Sequence, residues 1–409
     1  DITFTFGAGH DRESVLILAM MPVLPKHYWE KHDISKTTLE PPLGSGPYKI
    51  KSVEPGRKIT YERVKDYWAK DLPVNVGQYN FDTITYSYYR DDDIALESFK
   101  GGDYNLRREY NIHKWKTAYD FKALDKGRTV KEEIKHHRPE LLRAVIFNTR
   151  RSMFQDRNVR EALSLMFNFD WINHNLFFSS FKRITSLYPN SELAATGVPQ
   201  GEELDTLKKY QVNLPPEVLG PMWSPPSADL RDNQRQAIEL LKKSGWIYQE
   251  QTLVNEKTGA PFSFEILLND PADEKVALEF SRALKKIGIA ARVRTVDSAQ
   301  FTGRLDAYDY DMVMHRWINS PSPGNEQARN YAGIESPAID AIANSIAQSS
   351  DRETLVAHAR ALDRAIMWGY YMIPLYYLGV DLVAHAADIK RPDVTPIYGI
   401  VTEAWWYQP

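Results

Sequence analysis

The chain has 409 residues, no cysteine and a formal net charge of −3, from 51 basic against 54 acidic side chains. The absence of thiols excludes disulfides, thiol nucleophiles and cysteine metal sites, and the balanced charge excludes a global field that would draw in nucleic acid or an anionic membrane. Hydrophobic residues at 43% and charged residues at 26% are ordinary globular usage for a chain of two or three domains.

The 23 Tyr and 10 Trp suit either a ligand-lining surface or an aromatic-rich core, because each has an apolar body and a polar tip. Residues 1–6 alternate as a strand already under way, which reads as a processed or truncated start. The longest apolar run, 15–25, is about half the length of a membrane-spanning helix and contains Pro22. Residues 48–53 and 58–64 alternate on either side of Glu54-Pro55-Gly56-Arg57, the pattern of a hairpin. A strand is expected over 81–89. Asp91-Asp92-Asp93 then opens a helix through Phe99, where acids complement the helix dipole, and Gly101-Gly102 stops it.

A short buried-type strand is expected over 143–148, and Asp156 caps a helix over 159–167. From about 182 to 230 Pro, Ser, Gly and charged residues dominate, predicting a long surface excursion wrapped over the body. A helix over 232–244 ends at Gly245-Trp246. Strand 262–268, helix 274–287, strand 290–296, helix 298–305 and strand 310–315 follow. In the first of these helices Val276, Ala277, Phe280, Ala283, Leu284 and Ile287 share one face. This order predicts a mainly parallel or mixed sheet covered by helices. Helices over 337–347 and 352–368 and strands over 373–378 and 381–385 come next. The tail Trp405-Trp406-Tyr407 is core if buried and an unusual apolar patch if exposed.

No GxxxxGK[ST], HExxH or GxSxG motif occurs. Gly44-Ser45-Gly46-Pro47 lacks the third glycine of a dinucleotide fingerprint, and Pro47 spoils a following helix. His136 and His137 would point to opposite faces of a strand, which disfavours a shared metal. Carboxylate pairs abound without a distinctive spacing, so a two-acid hydrolase is an open alternative that nothing singles out.

Four passages in order resemble family 5 solute-binding proteins of ABC importers, the oligopeptide, dipeptide and nickel-binding type. They are Gly44-Ser45-Gly46-Pro47-Tyr48 with Asp66-Tyr67-Trp68; Phe154 to Leu163, reading FQDRNVREAL; Ala237 to Trp246, reading AIELLKKSGW; and Ile373-Pro374-Leu375-Tyr376-Tyr377. Val23-Leu24-Pro25-Lys26-His27-Tyr28-Trp29 and the passage Ser320 to Gln327 resemble the Yej-type branch, which serves peptides and microcin C. The resemblance implies an α/β, two-lobed periplasmic binding protein fold whose extra N-terminal subdomain is missing here. Lobe I would hold 1–141 and 377–409, and lobe II 142–376. It implies a periplasmic, non-catalytic and monomeric protein that needs no cofactor. Such a protein captures peptides in an interlobe cleft and hands them to an ABC permease in the inner membrane. The cleaved N-terminal segment is a possible partner, nucleic acid is not, and a metal chelate or sugar is the alternative solute.

The same comparison places the ligand site. Peptide binders of the oligopeptide type carry an acid shortly after the Trp of a GWxxD strand, to pair with the peptide amino group. Here that position is Ser320. Arg316, Trp317, Ile318, Asn319 and Ser320 are expected to form a strand edge that reads peptide backbone. Ser322, Asn325 and Glu326 follow on a loop, and Glu326 is the candidate for the absent amino-group anchor.

Overall fold

The computed structural model describes residues 3–7, 13–36, 38–323 and 330–409. The chain forms two compact units, one of Asp1–Val15 with Arg138–Gly379 and one of Leu16–His137 with Val380–Pro409.

The first unit is built on a five-stranded mixed sheet. Its order is Ala290–Thr295, Ser263–Leu268, Met312–Trp317, Leu142–Phe147, Met372–Pro374. The first three strands run parallel, and Leu142–Phe147 is antiparallel to both of its neighbours. Strand alternation divides the side chains cleanly. Leu142, Ala144, Ile146, Leu267, Val313 and Met372 enter one core; Val145, Phe147, Ile266, Leu268, Met314 and Ile373 enter the other. Helices Arg157–Leu165, Leu230–Lys243 and Glu274–Lys285 bury their apolar stripes on the second face. Helices Ser298–Asp306, Pro337–Ala347 and Arg352–Trp368 cover the first. A sheet buried on both faces explains the nearly continuous apolar strands. The expected helix caps form: Asp91 accepts from Asp93 and Ile94, and Asp156 from Asn158.

Two expectations fail. Residues 3–7 carry no strand despite their alternation, since alternation specifies a face only where a partner strand is present. The stretch 182–230 is not a surface excursion. Ile184, Leu187, Tyr188, Leu193, Leu207, Leu214, Val218 and Trp223 are buried, and the helix Gly201–Tyr210 lies within it. The cause is a pair of neighbouring charges on the helix Arg352–Trp368, both without solvent exposure. Asp363 accepts the hydroxyl of Ser186 at 2.6 Å and the backbone N–H of Leu187 and Ala195 at 2.7 and 2.9 Å. Arg364 binds Glu203 and donates to the carbonyls of Thr196, Gly197 and Gly220. Composition reads this stretch as polar, but its backbone groups are satisfied by a helix that is remote in sequence.

In the second unit the hairpin Tyr48–Glu54 and Lys58–Arg63 forms, its register shifting between Ile50 and Ser52, with Thr83–Ser87 as third strand. The returning strand Val380–Ala386 lies between Leu106–Glu109 and Thr129–Lys135, pairing with both. Trp405 is core, packed with Ile134, Val383 and Ile389, whereas Tyr407 is exposed. His136 is buried and His137 exposed, on opposite sides as alternation requires. Close to where the chain passes between units, Glu140 Oε1 accepts the Gly379 N–H at 2.9 Å.

Burial pushes the Asp363 carboxyl up, to about 6, against the three hydrogen bonds that favour its ionised form. The folded protein therefore binds this proton at a pH where the unfolded chain, near 3.8, has released it. The contribution of Asp363 to stability is greatest in acid and falls as the pH rises through about 6. Asp363→Asn is expected to lower stability by roughly 2–3 kcal/mol at pH 7, because the amide cannot accept all three bonds. In urea titrations the gap between wild type and variant should widen from pH 8 to pH 5; a constant gap would contradict the assigned shift.

Candidate functional site

The three parallel strands end at one edge of the sheet, beside the strand of reversed direction. Open α/β sheets bind ligands at such an edge. The ladder between Met312–Trp317 and Ser263–Leu268 covers only Met312 and Val313, while that with Leu142–Phe147 runs to Trp317. Arg316 and Trp317 are thus already paired on one side, and the expected free edge begins only beyond them. Ile318, Asn319 and Ser320 leave both ladders.

The two faces of this edge differ in chemistry. On one face Arg316 stands opposite Arg143 in register. Like charges directly opposite repel, and acids from the end of the neighbouring strand offset this. Arg316 Nη2 lies 2.9 Å from Asp270 and 2.7 Å from Asp273. Burial opposes its charge, but these carboxylates hold the guanidinium above its ordinary value. Tyr376 closes the cluster under Arg143, and burial pushes its hydroxyl up, so that it stays neutral.

The other face opens on a cavity of about 210 Å³ inside the first unit. The sheet supplies Leu142, Ile146, Trp317 and Met372; Ile318, Asn319, Ser320 and Pro323 form the chain leaving it. Tyr331 and Ala332, helix residues Ile339, Asp340 and Ala343, and Leu362 and Ile366 close the walls, together with Leu187 and Tyr188. Trp317, His315 and Tyr331 are in mutual edge or tilted contact, with ring centroids 4.8–6.0 Å apart. The Tyr310 hydroxyl donates to the Tyr331 carbonyl at 2.6 Å and fixes that wall.

Of the expected residues, Trp317, Ile318, Asn319 and Ser320 line this cavity. Arg316 does not: strand alternation carries it to the opposite face, into its ion pairs. Asn319 is a strut as well as a wall, its amide donating to the carbonyls of Glu140 and Leu187, each at 2.9 Å. Ser320 and Ser322 are engaged with one another, the Ser320 hydroxyl accepting the Ser322 N–H at 3.1 Å. Asn325 and Glu326 lie outside the described residues, although Pro323 and Asn330 on either side both line the cavity. Sequence reasoning missed Tyr188, Tyr331 and Asp340. Tyr188 sits in the stretch read as surface. The helical period of 337–347, which puts Ile339 and Ala343 on one face, was the available signal for Asp340.

Residues 1–335 match the family described as bacterial extracellular solute-binding proteins, family 5 Middle. An uncharacterized protein y4wM of Sinorhizobium fredii is 43% identical over 99% of the chain, which covers 65% of that protein. The probable peptide-binding protein YejA of Agrobacterium fabrum is 40% identical over 99% of the chain, which covers 70% of it. The oligopeptide-binding protein AppA of Bacillus subtilis, solved with a nonapeptide, is 20% identical. It superposes with a TM-score of 0.64 over 95% of this chain and 72% of its own. The chain thus spans about two thirds of the length of these relatives, and the superposition establishes the two-lobed binding-protein fold.

Asn319→Ala removes two hydrogen bonds and leaves two carbonyls without that donor. It should cost roughly 1–3 kcal/mol of stability in chemical denaturation, whereas a surface asparagine would cost under about 0.5 kcal/mol.

Proposed function

We propose that this chain, which belongs to the family 5 bacterial extracellular solute-binding proteins, captures peptides or peptide-like compounds outside the cytoplasm and delivers them to an ABC permease in the inner membrane. The family binds solutes and does not transform them. The observation that carries the peptide reading is the relationship, over 99% of this chain and 70% of the relative, to the probable peptide-binding protein of Agrobacterium fabrum. The geometry supports it. A chain leaving the sheet at Ile318–Ser320 offers backbone groups, and a roomy, largely apolar cavity beside it takes a side chain without demanding one shape.

The site on this reading comprises Trp317, Ile318, Asn319 and Ser320, with Ser322 and, outside the described residues, Asn325 and Glu326. Arg316 supports the strand from behind. On this reading 1–141 with 377–409 forms one lobe and 142–376 the other. Native mass spectrometry of the purified protein should find co-purified peptide. A peptide held at about 100 times its Kd should add roughly 2.7 kcal/mol of stability. Trp317→Ala should weaken peptide binding at least about tenfold, removing an aromatic wall worth more than ~1.4 kcal/mol, without unfolding the protein. If no peptide co-purifies and none stabilises the protein at millimolar concentration, the reading fails.

The second unit adds a further element to the proposal. It leaves large apolar side chains exposed, among them Met20 at 83%, Val23 at 82% and Val74 at 73%. Scattered apolar residues are normal on a surface; we read these as surface that another segment covers. The occupant proposed is an N-terminal segment of the same protein, in keeping with the greater length of the relatives. The N-terminal third of the Agrobacterium relative, supplied in trans, should co-purify with this chain and quench its binding of a hydrophobic dye. Unchanged dye binding and no co-purification would refute it.

A further inference from the structure

The cavity beside Trp317 carries a charge pattern that its apolar lining makes conspicuous. Among the described lining residues Asp340 is the single ionisable acid, and no Lys, Arg or His accompanies it. Asp340 stands in the first turn of helix Pro337–Ala347, where an acid suits the helix dipole in any case. That role needs no cavity. Here the acid lines one and is solvent-exposed, and among the described residues no ion pair or side-chain hydrogen bond involves it.

The same lining includes three aromatic side chains, Trp317, Tyr331 and Tyr188. Aromatic faces carry negative electrostatic potential and attract cations, most strongly for Trp. A carboxylate and aromatic rings lining one cavity favour positive charge over negative charge. The rest of the lining, Leu142, Ile146 and Met372 from the sheet among it, wants apolar surface. An apolar cavity of about 150 Å³ holds a benzene ring, so one of about 210 Å³ has room for a ring or branched chain with a short arm.

We infer that this cavity selects a ligand group with an apolar or aromatic body and a single positive charge, and that Asp340 is the residue that sets the charge preference. The inference deepens the peptide reading by naming the chemistry of one subsite, and it rests on that reading for its biological role. It has a chemical content that is separable: the cavity should rank small probes by charge whether or not a peptide is the natural solute.

The test uses the 409-residue chain and three probes of nearly equal size: phenethylamine, 2-phenylethanol and 3-phenylpropionate. Ligand-observed NMR titration should show the amine binding about five- to tenfold more tightly than the alcohol, with the carboxylate weakest, as expected of a partly exposed charge with cation–π support. Asp340→Asn should remove most of the amine's advantage over the alcohol and leave the alcohol unchanged. Ala343→Leu, which intrudes on the same cavity from the next helical turn, should weaken all three, and circular dichroism melts establish that both variants are folded. Equal binding of the three probes, a preference undiminished by Asp340→Asn, or no binding of any probe overturns the inference. Peptide binding measured on the same samples separates the two claims. Peptides that bind with no charge preference among the probes refute the subsite alone. Probes that rank as expected while no peptide binds support the subsite and refute the peptide reading.

Discussion

Two adjacent charges buried on one helix hold the first unit in its form. Asp363 and Arg364 point into a segment more than 140 residues earlier in the chain and satisfy its backbone from both signs of charge. Burying either alone would be prohibitive, since an unpaired charge in the interior costs several kcal/mol. Each is instead surrounded by groups of complementary polarity, and Glu203 neutralises the arginine. Other arginines of the same helix extend the arrangement, Arg360 donating to the Glu192 carbonyl at 2.8 and 3.1 Å. A segment that cannot fold by its own periodicity is thereby given one path.

The consequence reaches the cavity through a short series of bonds. Asp363 fixes the N–H of Leu187 and Asn319 fixes its carbonyl, so that Leu187 and Tyr188 stand as wall residues rather than as surface loop. Asn319 also holds the carbonyl of Glu140, whose carboxylate accepts Gly379. The residues that shape the cavity are therefore tied to those at which the chain passes between units. The same sheet edge keeps its charges on the other side. Arg316 and Arg143, with Asp270 and Asp273, form a self-contained cluster and leave the cavity to apolar and aromatic side chains with one acid in its lining.

What was legible in the sequence follows from how local each signal is. The helices Pro337–Ala347 and Arg352–Trp368 have the bounds that periodicity gives, and the hairpin 48–63 forms where its turn residues place it, with Glu54 paired to Lys58 across a three-residue turn. A helix cap or a tight turn involves residues within four positions of each other, so the sequence contains the whole interaction. The short hairpin Trp246–Gln249 with Thr252–Asn255 was not foreseen, because its strands are too short to show a period. The alternating start, 3–7, shows the reverse error: a pattern without a partner strand.

The sequence by itself determined the family, the α/β order and the stretch Trp317–Ser320 as a place to look, since each is written in contiguous residues. Tertiary structure alone decided which way those residues face. A strand turns successive side chains to opposite sides, so Trp317 borders the cavity and Arg316 cannot. It alone brought Tyr188, Tyr331 and Asp340 together around Trp317, because nothing local links residues up to about 150 positions apart. Tyr188 is brought there beside Leu187, which the buried Asp363 holds, and Tyr331 by the Tyr310 hydroxyl, partners that lie far away in sequence and whose role appears only when water is excluded from around them.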